Sequence, residues 1–165
     1  MSGSASAVYM CFGSVPGEAE APANSRKAPA SGGWMELSAC SFGGSINYGM
    51  HAGAARDSET DATPVKVTKL TDASSPGLLR QAIFGSFDNP AVIVFLRTGP
   101  DKKQEEFLRL ELTDCGIVGL SLESVGGERN TEMYEIRYGM MQVKSFTWDA
   151  SGNRNQMACM IKNHA

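Results

Sequence analysis

Residues 67–85, VTKLTDASSPGLLRQAIFG, change character twice within a short distance. An alternating β-branched run leads into a turn rich in Asp and Ser, and a short apolar segment bounded by Pro and Gly follows. Ser75 directly before Pro76 predicts a helix start, because an N-cap hydroxyl accepts from the free amides of the first turn and proline at the first helical position loses no hydrogen bond. Gly85 predicts the helix end. We therefore predict a strand followed by a helix, with Ser75 as the helix cap.

On both sides of this helix the sequence consists of short β-like runs separated by turn-forming clusters, a pattern typical of an all-β barrel or sandwich. Within 132–148 the parity of the apolar residues changes around Gly139. A flat strand would then expose half of its large residues, so a bulge at Gly139 is predicted to bend a long strand around a closed sheet. We therefore predict a mainly β, small barrel with one short α-helix. The predicted strand regions are 8–15, 34–46, 64–70, 91–97, 106–124, 132–148 and 156–162.

Length and composition predict one domain over residues 1–165, because a chain of this size buries roughly 70% of its unfolded surface in one core. The net charge of −3 and the absence of a clustered basic face argue against nucleic acid as a partner. The four widely spaced cysteines are expected to be reduced thiols. The sequence shows neither a signal peptide nor a membrane-spanning run. We therefore expect a cytosolic protein that, if exported, leaves by a route that recognises the folded chain.

Catalytic and ligand-binding motifs lack essential parts. A nucleophile elbow needs glycines around its serine and a histidine as base, whereas Ser75 is followed by proline. The two histidines are His51, in the long segment 44–63, and His164, next to the C-terminus. Neither has metal-ligand spacing, and no phosphate-binding glycine loop is present. The prediction is a protein without enzyme activity, cofactor or metal.

Taken in order, several segments resemble the haemolysin-coregulated protein (Hcp) family, the tube subunit of bacterial type VI secretion systems. VKVTKLTDASSPGLLRQAIFG is similar to that family's strand, its K-x-x-D-x-x-(S/T)-P-x-L turn and its single helix. The segments VIVFLRTG, FLRLELTDCGIVGLSLES, GGERNTE and YEIRYGMMQVKSFTW follow in the family's order. Nearer the N-terminus, VPGEA and ACSFGGSI are similar to the family's G-E-S-x-D and S-W-G-x-x stretches. The resemblance covers nearly the whole chain.

The resemblance implies a small barrel of two antiparallel sheets that assembles into hexameric rings. The rings stack into a tube that a contractile sheath drives out of the cell with the spike proteins, so the subunit is cytoplasmic first and then secreted without a signal peptide. Family members also hold effector proteins inside the ring. By its position in the matching motif, Ser41 is the candidate for the channel face.

The segment 44–63 is predicted to be an extended loop, since it is far longer than the usual connection of about 4–6 residues. By analogy with the family, such a loop reaches toward the adjacent ring. The resemblance then implies that docking residues and charged rim residues lie in it. The docking and rim candidates are Tyr48, Met50, His51, Arg56, Asp57, Glu59 and Asp61.

The segment VIVFL at 92–96 is apolar on both alternating faces. One face is expected in the core, and the other is expected against the helix or against a neighbouring subunit. A closed ring joins two different patches of the chain. Val92 and Val94 are therefore candidate subunit-interface residues.

Two other functions stay open. One is a monomeric β-barrel that binds a small ligand in its mouth, although the apolar residues are no more than a core of this size needs. The other is a hydrolase that uses Ser75 or Ser41 with His51, for which no substrate can be named.

Overall fold

The computed structural model describes six stretches of the chain, and everything below refers to them. They are residues 6–19, 33–48, 58–98, 104–148, 150–151 and 153–162. The elements in these stretches are β1 (Ala7–Phe12), β2 (Met35–Leu37), β3 (Ala39–Ser41), β4 (Gly44–Tyr48), β5 (Ser58–Ala62), β6 (Val65–Leu70), α1 (Ser75–Phe84), β7 (Asn89–Thr98), β8 (Gln104–Glu123), β9 (Thr131–Arg137), β10 (Met140–Trp148) and β11 (Arg154–Lys162).

The strands close into a barrel. In space β2, β1, β7, β8, β9, β6 and β3 follow one another, and every neighbouring pair is antiparallel. Strands β2 and β3 are consecutive along the chain on either side of Ser38, whose N–H and hydroxyl both donate to the Thr68 carbonyl, at 2.8 and 3.1 Å. The two ends of the strand order are therefore joined. The predicted mainly β barrel with one short helix is confirmed.

The long strand β8 bends at its middle and belongs to both halves of the barrel. Its first half pairs with β7 and β10, and its second half pairs with β9. At the bend Asp114 has a φ of 55°, in the left-handed region that is rare for residues other than glycine. Opposite it, the Gly139 N–H donates to the carbonyls of Thr113 and Asp114, at 2.9 and 3.2 Å. The predicted bend at Gly139 is present, but as a break between β9 and β10 rather than a bulge inside one strand.

Side chains fill the inside of the barrel. They come from seven strands, from the helix, which contributes Leu78, and from Val15 and Tyr138 outside the strands. Because the core-facing positions alternate along each strand, the pattern seen in the sequence matches the observed burial. The largest buried apolar side chains include Phe12, Met10, Ile93, Leu110, Tyr134, Ile136 and Met141.

The outer face of β7 is covered by the chain itself. Val92 and Val94 are only 5% and 0% exposed, and they pack in a second apolar cluster with Cys11 of β1 and Trp34. The helix takes no part in this cluster, since its buried Leu78 belongs to the inner core. The prediction that Val92 and Val94 form the subunit interface must therefore be corrected, because neither side chain has surface to offer a neighbour.

The described parts of the segment 44–63 include two strands. Strands β4 and β5 form an antiparallel hairpin in which Gly44 pairs with Ala62 and Tyr48 pairs with Ser58. The segment predicted as an extended loop thus contains two paired arms, because the backbone groups of each arm pair with those of the other. The docking candidates Met50, His51 and Arg56 lie outside the described residues, as does Asp57.

Candidate functional site

The hydroxyl of Ser75 does not cap the helix. Ser74 occupies the N-cap position and forms no capping hydrogen bond with its side chain. The Ser75 hydroxyl instead donates to Glu132 Oε2 at 2.6 Å and accepts from the Asp72 N–H at 3.0 Å. The prediction of Ser75 as the helix cap is therefore wrong, because Ser75 is the first residue of the helix and its oxygen accepts from the Asp72 N–H before the helix instead of from an amide of the first turn. Pro76 at the start and Gly85 at the end are as predicted.

A fully buried lysine is the centre of the polar turn. Lys69 lies on β6 with no exposed side-chain surface, and its Nζ donates to Asp72 Oδ1 at 2.8 Å. The same nitrogen donates to the Leu70 carbonyl at 2.9 Å, and it lies 3.4 Å from Ser75 Oγ and 3.6 Å from Glu132 Oε2. Burying a charge is costly unless it is paired and hydrogen-bonded. Here every donor of the ammonium group has a partner.

The acidic partners of Lys69 are held in their charged form. Burial raises the pKa of the Asp72 carboxyl, but hydrogen bonds from Lys69 and Ser74 outweigh it, so this pKa lies below its ordinary value. The pKa of Glu132 is lowered for similar reasons, since hydrogen bonds from Ser75 and Tyr134 and the charge of Lys69 offset its burial. Burial, together with the hydrogen bond to Glu132, raises the pKa of Tyr134. The network therefore contains two anionic carboxylates, Asp72 and Glu132, which surround the ammonium group of Lys69, and the neutral hydroxyl of Tyr134.

This network has a structural purpose. It joins the start of α1 to the neighbouring strands β6 and β9, so it fixes where the helix lies on the barrel. Ser75 has a carboxylate for a partner and not a base of the kind that activates a nucleophile, and His51 lies outside the described residues. Within the described stretches there is no group of three or more metal-ligating side chains.

Ser41 lies at the end of β3 with an exposed side chain. It pairs with Lys66 of β6, which in turn pairs with Glu135 of β9, and the last two form an exposed ion pair at 3.6 Å. Directly paired residues share one face of a sheet, so Ser41 belongs to the outer face that carries this ion pair. Its position on a channel wall stays a prediction.

The helix presents an apolar surface to solvent. The exposed fractions are 44% for Leu79, 60% for Ile83, 81% for Phe84 and 55% for Phe87, just beyond the helix. We call these four residues the helix surface. The ring of Phe87 packs over Gly116 of β8 so closely that a Cβ there would lie 2.2 Å from the ring. The helix surface therefore lies beside the second half of β8.

Strand β11 presents a second apolar surface at an edge of the sheet. Among the described strands it pairs with β10 alone. Its Ile161 still packs on the core, but Cys159 is exposed and Met157 is 78% exposed. Alternate residues share a face, so we call Met157, Cys159 and Ile161 the edge surface. The edge surface lies on the same face of the sheet as the core residues, but Met157 and Cys159 extend beyond the part of this face that packs in the core.

A cleft of about 450 Å³ opens at the surface among the turns, with Glu18, Glu36 and Arg129 in its lining. Two of these charged groups already have partners. The Arg129 guanidinium donates to the Thr71 carbonyl at 2.8 Å, and Glu18 accepts from the Ala73 N–H at 3.3 Å. The cleft is thus an open, polar depression and not an apolar chamber inside the barrel.

Several solved structures share this fold. A structure described as that of a type six secretion system protein superposes with a TM-score of 0.73 at 19% identity, covering 93% of this chain and 92% of that chain. Hcp1 from Salmonella typhimurium gives a TM-score of 0.70 at 16% identity, with 96% and 95% covered. The secreted protein Hcp3 from Pseudomonas aeruginosa gives 0.56 at 18% identity, with 93% and 97% covered. These likenesses define the class: a single-helix β-barrel with the fold of Hcp proteins.

The sequence assigns the family directly. The family model described as "Type VI secretion system effector, Hcp" matches residues 9–145. The chain therefore belongs to the Hcp family of type VI secretion proteins, and the resemblance drawn from its motifs is confirmed. No curated protein matches the sequence at a significant level. Among the described residues, no helix is long and apolar enough to span a membrane.

Proposed function

We propose that this protein is the tube subunit of a bacterial type VI secretion system. In this proposal it forms hexameric rings, the rings stack into a tube, and the tube carries effector proteins in its channel. The subunit is cytoplasmic before export and is then secreted without a signal peptide, together with the spike and by the action of the contractile sheath. The observation that carries the proposal is the family match over most of the chain. The protein has no enzymatic role in this account.

The exposed apolar surfaces support assembly. A head-to-tail ring needs two different patches on each subunit. The helix surface and the edge surface are two such patches, on separate elements of the barrel. Exposed apolar clusters of this kind mark contact sites in soluble proteins.

We expect the purified protein to have the native mass of a hexamer. The measurement is native mass spectrometry, supported by light scattering after size exclusion and by electron microscopy of the particles. Rings with a central channel are the expected images. A protein that stays monomeric at every concentration tested would exclude the proposed function.

The alternative of a monomeric barrel that binds a small ligand has less support. A ligand-binding barrel keeps an apolar cavity at its mouth. Here Phe12, Tyr134 and Met141 are buried inside the barrel, and the described cleft is polar and open. The native mass also separates the two proposals, because only the tube subunit is expected to be a hexamer.

The β4–β5 hairpin is proposed to connect successive rings, through Tyr48 and the residues between its arms. Replacing residues 49–57 with Asn-Gly should leave the two arms paired, because this dipeptide forms the tight turn that suits a hairpin. We expect rings of normal mass that no longer stack into long tubes. Tube length at high protein concentration, seen by electron microscopy, is the measurement. Tubes as long as those of the wild type would contradict the stacking role.

The channel wall is proposed to include the outer face that carries Ser41. This face carries Ser41, the ion pair between Lys66 and Glu135, whose charges cancel, and the partly exposed Met133. A wall of this kind carries no large fixed charge. It is suited to holding effector proteins weakly enough that they are released.

A further inference from the structure

We draw no further inference here: the strongest candidate, the polar pocket of about 120 Å³ between β8, β10 and β11, carries nothing, because Arg109 and Lys144 in its lining already pair with Glu106 and Glu111 of the same lining and Arg154 lies over the ring of Phe146.

Discussion

Replacing Lys69 with methionine is expected to lower the free energy of unfolding by about 3–5 kcal/mol, because removing one partner of a buried ion pair leaves the other charges uncompensated. Asp72 and Glu132 would lose the ammonium group that lies 2.8 and 3.6 Å from their oxygens. Urea unfolding followed by circular dichroism measures the change. Methionine fills a similar volume, so the effect reports the charge rather than a cavity.

Lys66→Met is the matched control on the same strand. Lys66 and Glu135 form an ion pair at 3.6 Å whose side chains are 53% and 39% exposed. Exposed pairs contribute about 0–1 kcal/mol, so this variant should unfold nearly as the wild type does. Equal losses in the two variants would show that the buried network does not anchor the fold.

The pH dependence of stability gives a second measurement. In the wild type the pKa values of Asp72 and Glu132 are lowered by folding. Their contribution is therefore constant at neutral pH and is lost only as the pH falls below about 4, through the folded pKa values. In Lys69→Met burial raises both pKa values, so the variant should gain stability as the pH is lowered from about 7 to 5. The same dependence in both proteins would contradict the assigned pairing.

Replacing Val94 with aspartate is expected to unfold the chain. Val94 is 0% exposed and packs with Val92 and Trp34 in the outer cluster. A buried, unpaired carboxylate costs more than about 4 kcal/mol, a large part of the total stability of about 5–15 kcal/mol. The expected result is loss of the folded circular dichroism spectrum and of the ring together. A folded monomer, which the sequence prediction of an interface residue implied, is not expected.

Val118→Asp makes the same change at an exposed site. Val118 lies on β8 and is 46% exposed, and surface substitutions usually change stability by about 0.5 kcal/mol or less. This control should therefore keep the wild-type midpoint of urea unfolding. If Val94→Asp were as stable as Val118→Asp, the cover of β7 by Trp34 would have to be absent in solution.

Local patterns in the sequence were enough for the helix and for the bend. Pro76 and Gly85 mark the ends of α1, and the change of parity marks the break at Gly139. These features depend on backbone restrictions and on alternation along a strand, which act between residues near in sequence. Barrel closure was predicted from the bend, and the structure adds that it runs through Ser38.

The buried ion pair at the polar turn was not predicted, although the sequence contained an indication of it. Lys69 follows Val65 and Val67 at core-facing positions of β6, and Glu132 precedes Tyr134 and Ile136 at core-facing positions of β9. A charged residue in each of two inward positions indicates a buried pair. Lys69 and Glu132 could not be matched as partners from the sequence, because β6 and β9 are far apart in the chain and become neighbours only in the folded structure.

The sequence by itself determined the class of fold, the single helix and the family, because these follow from local patterns and from the order of motifs along the chain. Only the tertiary structure decided which face of each element is covered. In the structure Trp34 packs against Val92 and Val94, and the Ser75 hydroxyl donates a hydrogen bond to Glu132. Phe84 and Met157 remain exposed. The physical reason is that burial and ion pairing depend on contacts between residues far apart in the chain, which periodicity within one strand or helix does not specify.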